Sequence, residues 1–117
     1  MSAVKIIRFG ANPPRPETGR PNNVITGKPT TTTHNYFTDP SGRFFSGIWE
    51  STPGKWNCDY KEDEFVYLIS GRARLTDADG KTETFGPGSA FLIPAGFKGS
   101  WETVESLKKY YAIFERP

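Results

Sequence analysis

Three side chains able to do acid–base or ligand chemistry lie close together in the chain: the thiol of Cys58, the phenol of Tyr60 and the carboxylate of Glu64. Alternation along an extended strand sends Cys58 and Tyr60 to one face. A carboxylate such as Glu64 inside an aromatic-rich interior is costly to desolvate unless an Arg, a Lys or a phenol hydrogen-bonds to it, and carboxylates in such settings are often functional. Glu64 as general base and Tyr60 as general acid, within reach of one substrate atom, would form the corresponding catalytic pair. The other reading of Glu64 is that it opens a strand after Lys61-Glu62-Asp63 and caps a solvated hairpin loop.

The remaining candidates are more dispersed. His34, the one histidine, stands between Thr33 and Asn35; it reads as a surface or hydrogen-bonded residue unless it swings into a pocket. Trp49, Trp56 and Trp101 would make a stacking platform for a planar or sugar-like ligand, or simply fill a core. Lys98, Lys108 and Lys109 would balance an anionic ligand at a pocket mouth, or solubilise strand ends. A metal-binding or nucleophilic Cys58 would need a lowered pKa that no sequence neighbour supplies.

These groups need a scaffold, and composition points to β structure. Of 117 residues, 35% are hydrophobic and 15% aromatic, so large rings rather than leucines build the core. That length fits one domain. The net charge of +2 is spread along the chain without a basic run, which does not indicate nucleic acid. A single cysteine excludes an internal disulfide framework. No signal-peptide stretch and no run of about 18 apolar residues is present, so the expected location is the cytoplasm.

Two regions differ in character. Residues 1–34 read as an N-terminal strand, Val4 to Phe9, followed by an arm in which Pro13, Pro14, Pro16, Pro21 and Pro29 block helix. Such an arm must dock on a sheet edge of its own chain or of a partner. Residues 35–117 read as a barrel of about eight short strands. The spacing predicts strands over Phe44 to Glu50, Trp56 to Tyr60, Glu64 to Ser70, Arg72 to Asp77, Lys81 to Phe85, Ala90 to Pro94, Trp101 to Val104 and Lys109 to Glu115. Asp79-Gly80 closes a hairpin, and Gly86, Pro87, Gly88, Pro94 and Gly96 serve turn geometry.

Two stretches carry a resemblance to a known family. Gly88, five residues, Pro94-Ala95-Gly96 and then Phe97-Lys98 reproduce the frame of the second cupin motif; Glu64, followed six residues later by Gly71, reproduces the end of the first. The run from Gly47 to Trp56, the pair Gly71-Arg72, the Pro-Ala-Gly-Phe turn and Trp101-Glu102 resemble the small single-domain cupins grouped with ureidoglycine aminohydrolase and the ethanolamine-utilisation cupins, DUF861-like proteins among them. The likeness spans roughly residues 26–115.

The resemblance implies an all-β, RmlC-like cupin jelly-roll barrel, with the face of Cys58 and Tyr60 turned inward beside Glu64. It also locates four metal-ligand positions, which here fall on Cys58, Tyr60, Glu64 and Gly99, so Glu64 is the only ligand retained. No metal or other cofactor is therefore expected. The expected ligand pocket comprises Cys58, Tyr60, Glu64 and Trp101; Trp101 is included because it lies two residues beyond the third ligand position. The leading function is binding of a small polar metabolite in this altered pocket. The alternatives are a hydrolase like ureidoglycine aminohydrolase, or an isomerase, with Glu64 and Tyr60 as catalytic candidates, and a structural dimerisation module. Partners are expected to be a small molecule and a second copy of the chain, without nucleic acid or membrane.

Overall fold

The computed structural model describes residues 3–117, so the first two residues of the predicted arm lie outside it. Among the described residues nine strands form one antiparallel sheet: β1 (Glu17–Gly19), β2 (Val24–Thr26), β3 (Thr31–Thr38), β4 (Phe44–Ser51), β5 (Gly54–Asp59), β6 (Glu62–Asp77), β7 (Thr82–Phe85), β8 (Ala90–Ile93) and β9 (Lys98–Glu115). The described residues contain no helix, hence none long and apolar enough to cross a membrane.

The sheet curls around β9. Its first part, Lys98 to Thr103, pairs with β5, and its second part, Leu107 to Phe114, pairs with β4. Along its opposite edge it pairs with β6 almost end to end. The segments Trp101 to Val104 and Lys109 to Glu115 are therefore one strand, because β6, whose Arg72 pairs with Glu105, holds the polar Glu105-Ser106 step extended between the β5 and β4 pairings. The same holds for Glu64 to Ser70 and Arg72 to Asp77, which join as β6 through Gly71. Register shifts between Leu68 and Ala73 bend β6 at this point.

The N-terminal region departs from expectation. Val4 to Phe9 is not a strand: Val4 and Ile6 are fully exposed, and Phe9 instead stacks on Tyr36 at 4.8 Å between ring centroids. Apolar composition alone does not make a strand without a free edge in reach. The arm docks on its own chain, since β1 pairs with β3 and β2 pairs with β5. β3 runs through the expected boundary at residues 34 and 35 without a break.

Side chains alternate across the sheet. Val66, Leu68, Ala73, Leu75, Ile93, Trp101 and Leu107 are buried inside, while Phe65, Tyr67, Tyr110 and Phe114 of β6 and β9 stay exposed on the outer face. Short polar side chains close the turns. Asp77 Oδ1 accepts the N–H groups of Asp79 and Lys81 at 2.9 and 3.0 Å, and Asp63 Oδ1 accepts that of Ala95 at 2.9 Å.

Gly71 sits at φ +87°, and a Cβ there would run into the Ser106 carbonyl and the backbone of Leu107. Substituting Gly71→Ala should therefore destabilise the fold by more than about 2 kcal/mol in urea unfolding, since left-handed strain and a backbone clash act together.

Candidate functional site

The alternation that buries Leu107 also turns Lys109, Tyr111 and Ile113 inward. Lys109 lies opposite Trp49 of β4 on one side and Leu68 of β6 on the other. From β6, Glu64 points into the same space with Val66 and Leu68. The Lys109 ammonium donates to Glu64 Oε2 at 2.6 Å, and the two side chains are only 6% and 8% exposed. Nζ also stands 4.4 Å from the ring centre of Trp49 and 4.6 Å from that of Trp101. A buried carboxylate thus has its partner, and the partner's charge rests on two indole faces.

A cavity of about 460 Å³ lies against this pair. Its aromatic wall is Phe45, Trp49, Trp56, Tyr60, Trp101 and Tyr111; Ile113, Thr33, Asn35 and Glu17 complete it. The walls are held by polar ties. Trp101 Nε1 donates to Thr103 Oγ1 at 2.9 Å, Thr103 donates to Ser51 Oγ at 3.0 Å, and Ser51 donates to the Thr52 carbonyl at 2.8 Å. Tyr111 donates to Asn35 Oδ1 at 2.8 Å. The Tyr60 backbone is clamped to the turn after β8: Gly96 N–H donates to its carbonyl at 2.7 Å, and its N–H donates to the Phe97 carbonyl at 2.9 Å.

Burial, then the charge of Glu64, pushes the Tyr60 phenol well above its ordinary range. Burial followed by Glu64 and Glu17 pushes Tyr111 up to about 12. Both phenols stay protonated at neutral pH and can donate a hydrogen bond.

Of the residues singled out in the sequence, Tyr60, Glu64 and Trp101 line the cavity together. Glu64 is buried rather than capping a solvated loop. Cys58 is not on the cavity wall: it is half-buried against the core, and burial, then Asp59 and Glu64, pushes its thiol up to about 11, so it offers no thiolate. His34 is kept away. It pairs with Ile48, neither residue being on the cavity wall, and its Nε2 lies 3.3 Å from Glu50 Oε2.

The lysines divide. Lys98 and Lys108 are exposed, as solubilising residues would be, whereas Lys109 is interior rather than at the mouth. The sequence signal for this was the period-two run Leu107, Lys109, Tyr111, Ile113, in which a charge occupies an inward position. Glu17, Thr33 and Asn35 had no local signal, because they reach the cavity only through the docking of β1 and β3.

The residues at the cupin ligand positions do not fit a divalent metal. Glu64 is taken by an ammonium, Tyr60 and Cys58 hold their protons, and no group of three or more His, Cys, Asp or Glu side chains among the described residues could hold an ion. The third position is also closed sterically. Gly99 pairs with Cys58 on one side and Asp77 on the other, and a Cβ there would run into the Thr76 carbonyl.

A curled antiparallel sheet around a ring-walled cavity, with Glu64 in the first motif and Pro94 to Gly96 in the second, defines a cupin barrel. The EutQ-like cupin domain family matches residues 38–111, more than half of the chain, and the chain belongs to that family. A DUF861-family protein of unknown function from Pseudomonas syringae pv. tomato superposes with a TM-score of 0.74 at 25% identity over 94% of this chain. The chain spans 45% of that protein's length. The Clostridium difficile EutQ protein has a TM-score of 0.66 at 23% identity, covering 74% of this chain and 69% of its own. A predicted oxalate decarboxylase from Thermotoga maritima has a TM-score of 0.70 at 18% identity, covering 96% of this chain and all of its own. The last two likenesses are of fold alone. A search of curated proteins finds no match.

Two expectations follow. Lys109→Met leaves a buried carboxylate alone and Glu64→Gln leaves a buried ammonium alone, so each should cost about 3–5 kcal/mol. The double variant should lose far less than the sum in a urea double-mutant cycle; additive losses would mean that the two charges are solvated separately. The second concerns alkaline pH. With Tyr111 raised from an ordinary value of 10.0 to about 12, the folded chain binds more protons than the unfolded chain between these values, so stability falls as pH rises through that window. Thermal melts from pH 9 to 12 should show a shallower decline in Tyr111→Phe than in the parent.

Proposed function

We propose that this protein binds a small polar metabolite in the barrel cavity, without a metal. The observation that carries the reading is the buried Glu64–Lys109 pair facing a ring-walled cavity of about 460 Å³. Apolar residues of similar volume often serve stability as well as a buried ion pair does, so a pair retained beside a cavity of ligand size suits recognition better than folding. Family membership supports the scaffold but does not name a ligand, because one barrel serves many functions.

The enzymatic alternative would use the same groups, Glu64 as base and Tyr60 as acid, on a substrate in that cavity. Binding precedes either outcome. A thermal-shift screen of amides, heterocycles, amino acids and sugars, followed through tryptophan fluorescence, tests the proposal. A true ligand at about 100 times its Kd should add about 2.7 kcal/mol of stability and perturb the Trp49 and Trp101 emission. A screen in which no compound shifts either signal would overturn it.

A further inference from the structure

The polar atoms of the cavity are unequally occupied, and the inequality selects a ligand. Lys109 has its one hydrogen bond to Glu64 Oε2, and its charge stands over two indole faces. Little of that ammonium remains for a ligand. The other carboxylate oxygen, Oε1, takes no hydrogen bond from any described residue, and neither does the Tyr60 hydroxyl. Neither atom is sealed away: the one buried side-chain polar atom without a partner among the described residues is His34 Nδ1. Both belong to residues that line the cavity. The site therefore presents a free carboxylate acceptor and a free phenol among six aromatic rings, with the carboxylate's charge already compensated.

We propose that the ligand is an uncharged, planar amide or lactam that donates its N–H to Glu64 Oε1 and accepts from the Tyr60 hydroxyl through its carbonyl. This rests on the cavity being a ligand site. An anion would meet a carboxylate whose counter-charge is engaged elsewhere, and a cation would meet the Lys109 ammonium. An uncharged donor–acceptor edge meets neither penalty, and its flat body stacks on the rings. The raised phenol of Tyr60 fits the donor role.

Four molecules of nearly one shape separate the possibilities: benzamide, methyl benzoate, benzoate and benzamidinium. Titration calorimetry of each into the intact chain at neutral pH, read in parallel by tryptophan fluorescence, should rank benzamide first. The margin over methyl benzoate, which lacks the N–H, should be about tenfold or more, as expected for a hydrogen bond to a charged group. In the Glu64→Gln/Lys109→Met variant, which removes both charges together, that margin should shrink severalfold while methyl benzoate is little changed. Tightest binding of benzoate or benzamidinium would overturn the assignment, as would equal binding of all four, although either result leaves the cavity a ligand site. Failure of all four to bind or to alter the fluorescence would overturn this assignment, while the cavity reading itself stands or falls on the broader screen of metabolite classes.

Discussion

A lysine and a glutamate share the interior of a small barrel, and much of the structure is arranged so that neither is there alone. Either charge by itself in such surroundings would be strongly destabilising, because water no longer solvates it and no apolar neighbour replaces that water. The two meet because β6 and β9 pair in a register that sets Leu68 opposite Lys109 and Ile113 opposite Glu64. A slip of one residue would turn Lys109 to the outer face, bring Tyr110 and Phe114 inside in its place, and strand Glu64 inside without a partner. The pair therefore ties the register of the two longest strands to the chemistry of the cavity.

The aromatic wall depends on the same strands and on ties from others. Trp101 is fixed by a run of hydroxyls through Thr103 and Ser51 to the backbone of Thr52, so β9 and β4 are linked under the cavity. Trp49 and Trp101 meet edge to face at 5.7 Å, an arrangement that leaves an indole face of each to the Lys109 ammonium. The docked arm closes the remaining side, bringing Glu17 beside Thr33 through the β1–β3 pairing. The proline-rich arm thus contributes Glu17 to the cavity wall.

Within the EutQ-like cupin domain family frame, the chain keeps the turns and one acidic position while rebuilding what surrounds that position. The third ligand position is a glycine pressed against the Thr76 carbonyl, so a histidine could enter only if β6 moved. The loss is therefore built into the packing of β5, β6 and β9 and does not reduce to a single missing side chain. The cation beside Glu64 comes instead from β9, outside both sequence motifs.

Local sequence determined the strands that alternate cleanly or end in strong turn residues, such as Phe44 to Glu50 and Ala90 to Pro94, and the motif spacing brought Tyr60, Glu64 and Trp101 to one place. These features depend on the two-residue period of a strand and on turn chemistry, both of which act over a few residues. Tertiary structure decided the rest. Gly71 and Glu105-Ser106 read as breaks, yet partners on neighbouring strands carry β6 and β9 through them. Cys58 stands between Trp56 and Tyr60, which both line the cavity, yet it packs against the core and not on the wall. Above all, Lys109 looked like one exposed lysine among three, and its partner Glu64 lies 45 residues away. Only the pairing of β6 with β9 could bring those charges together and make their burial tolerable, since no local pattern records which residue waits across the sheet.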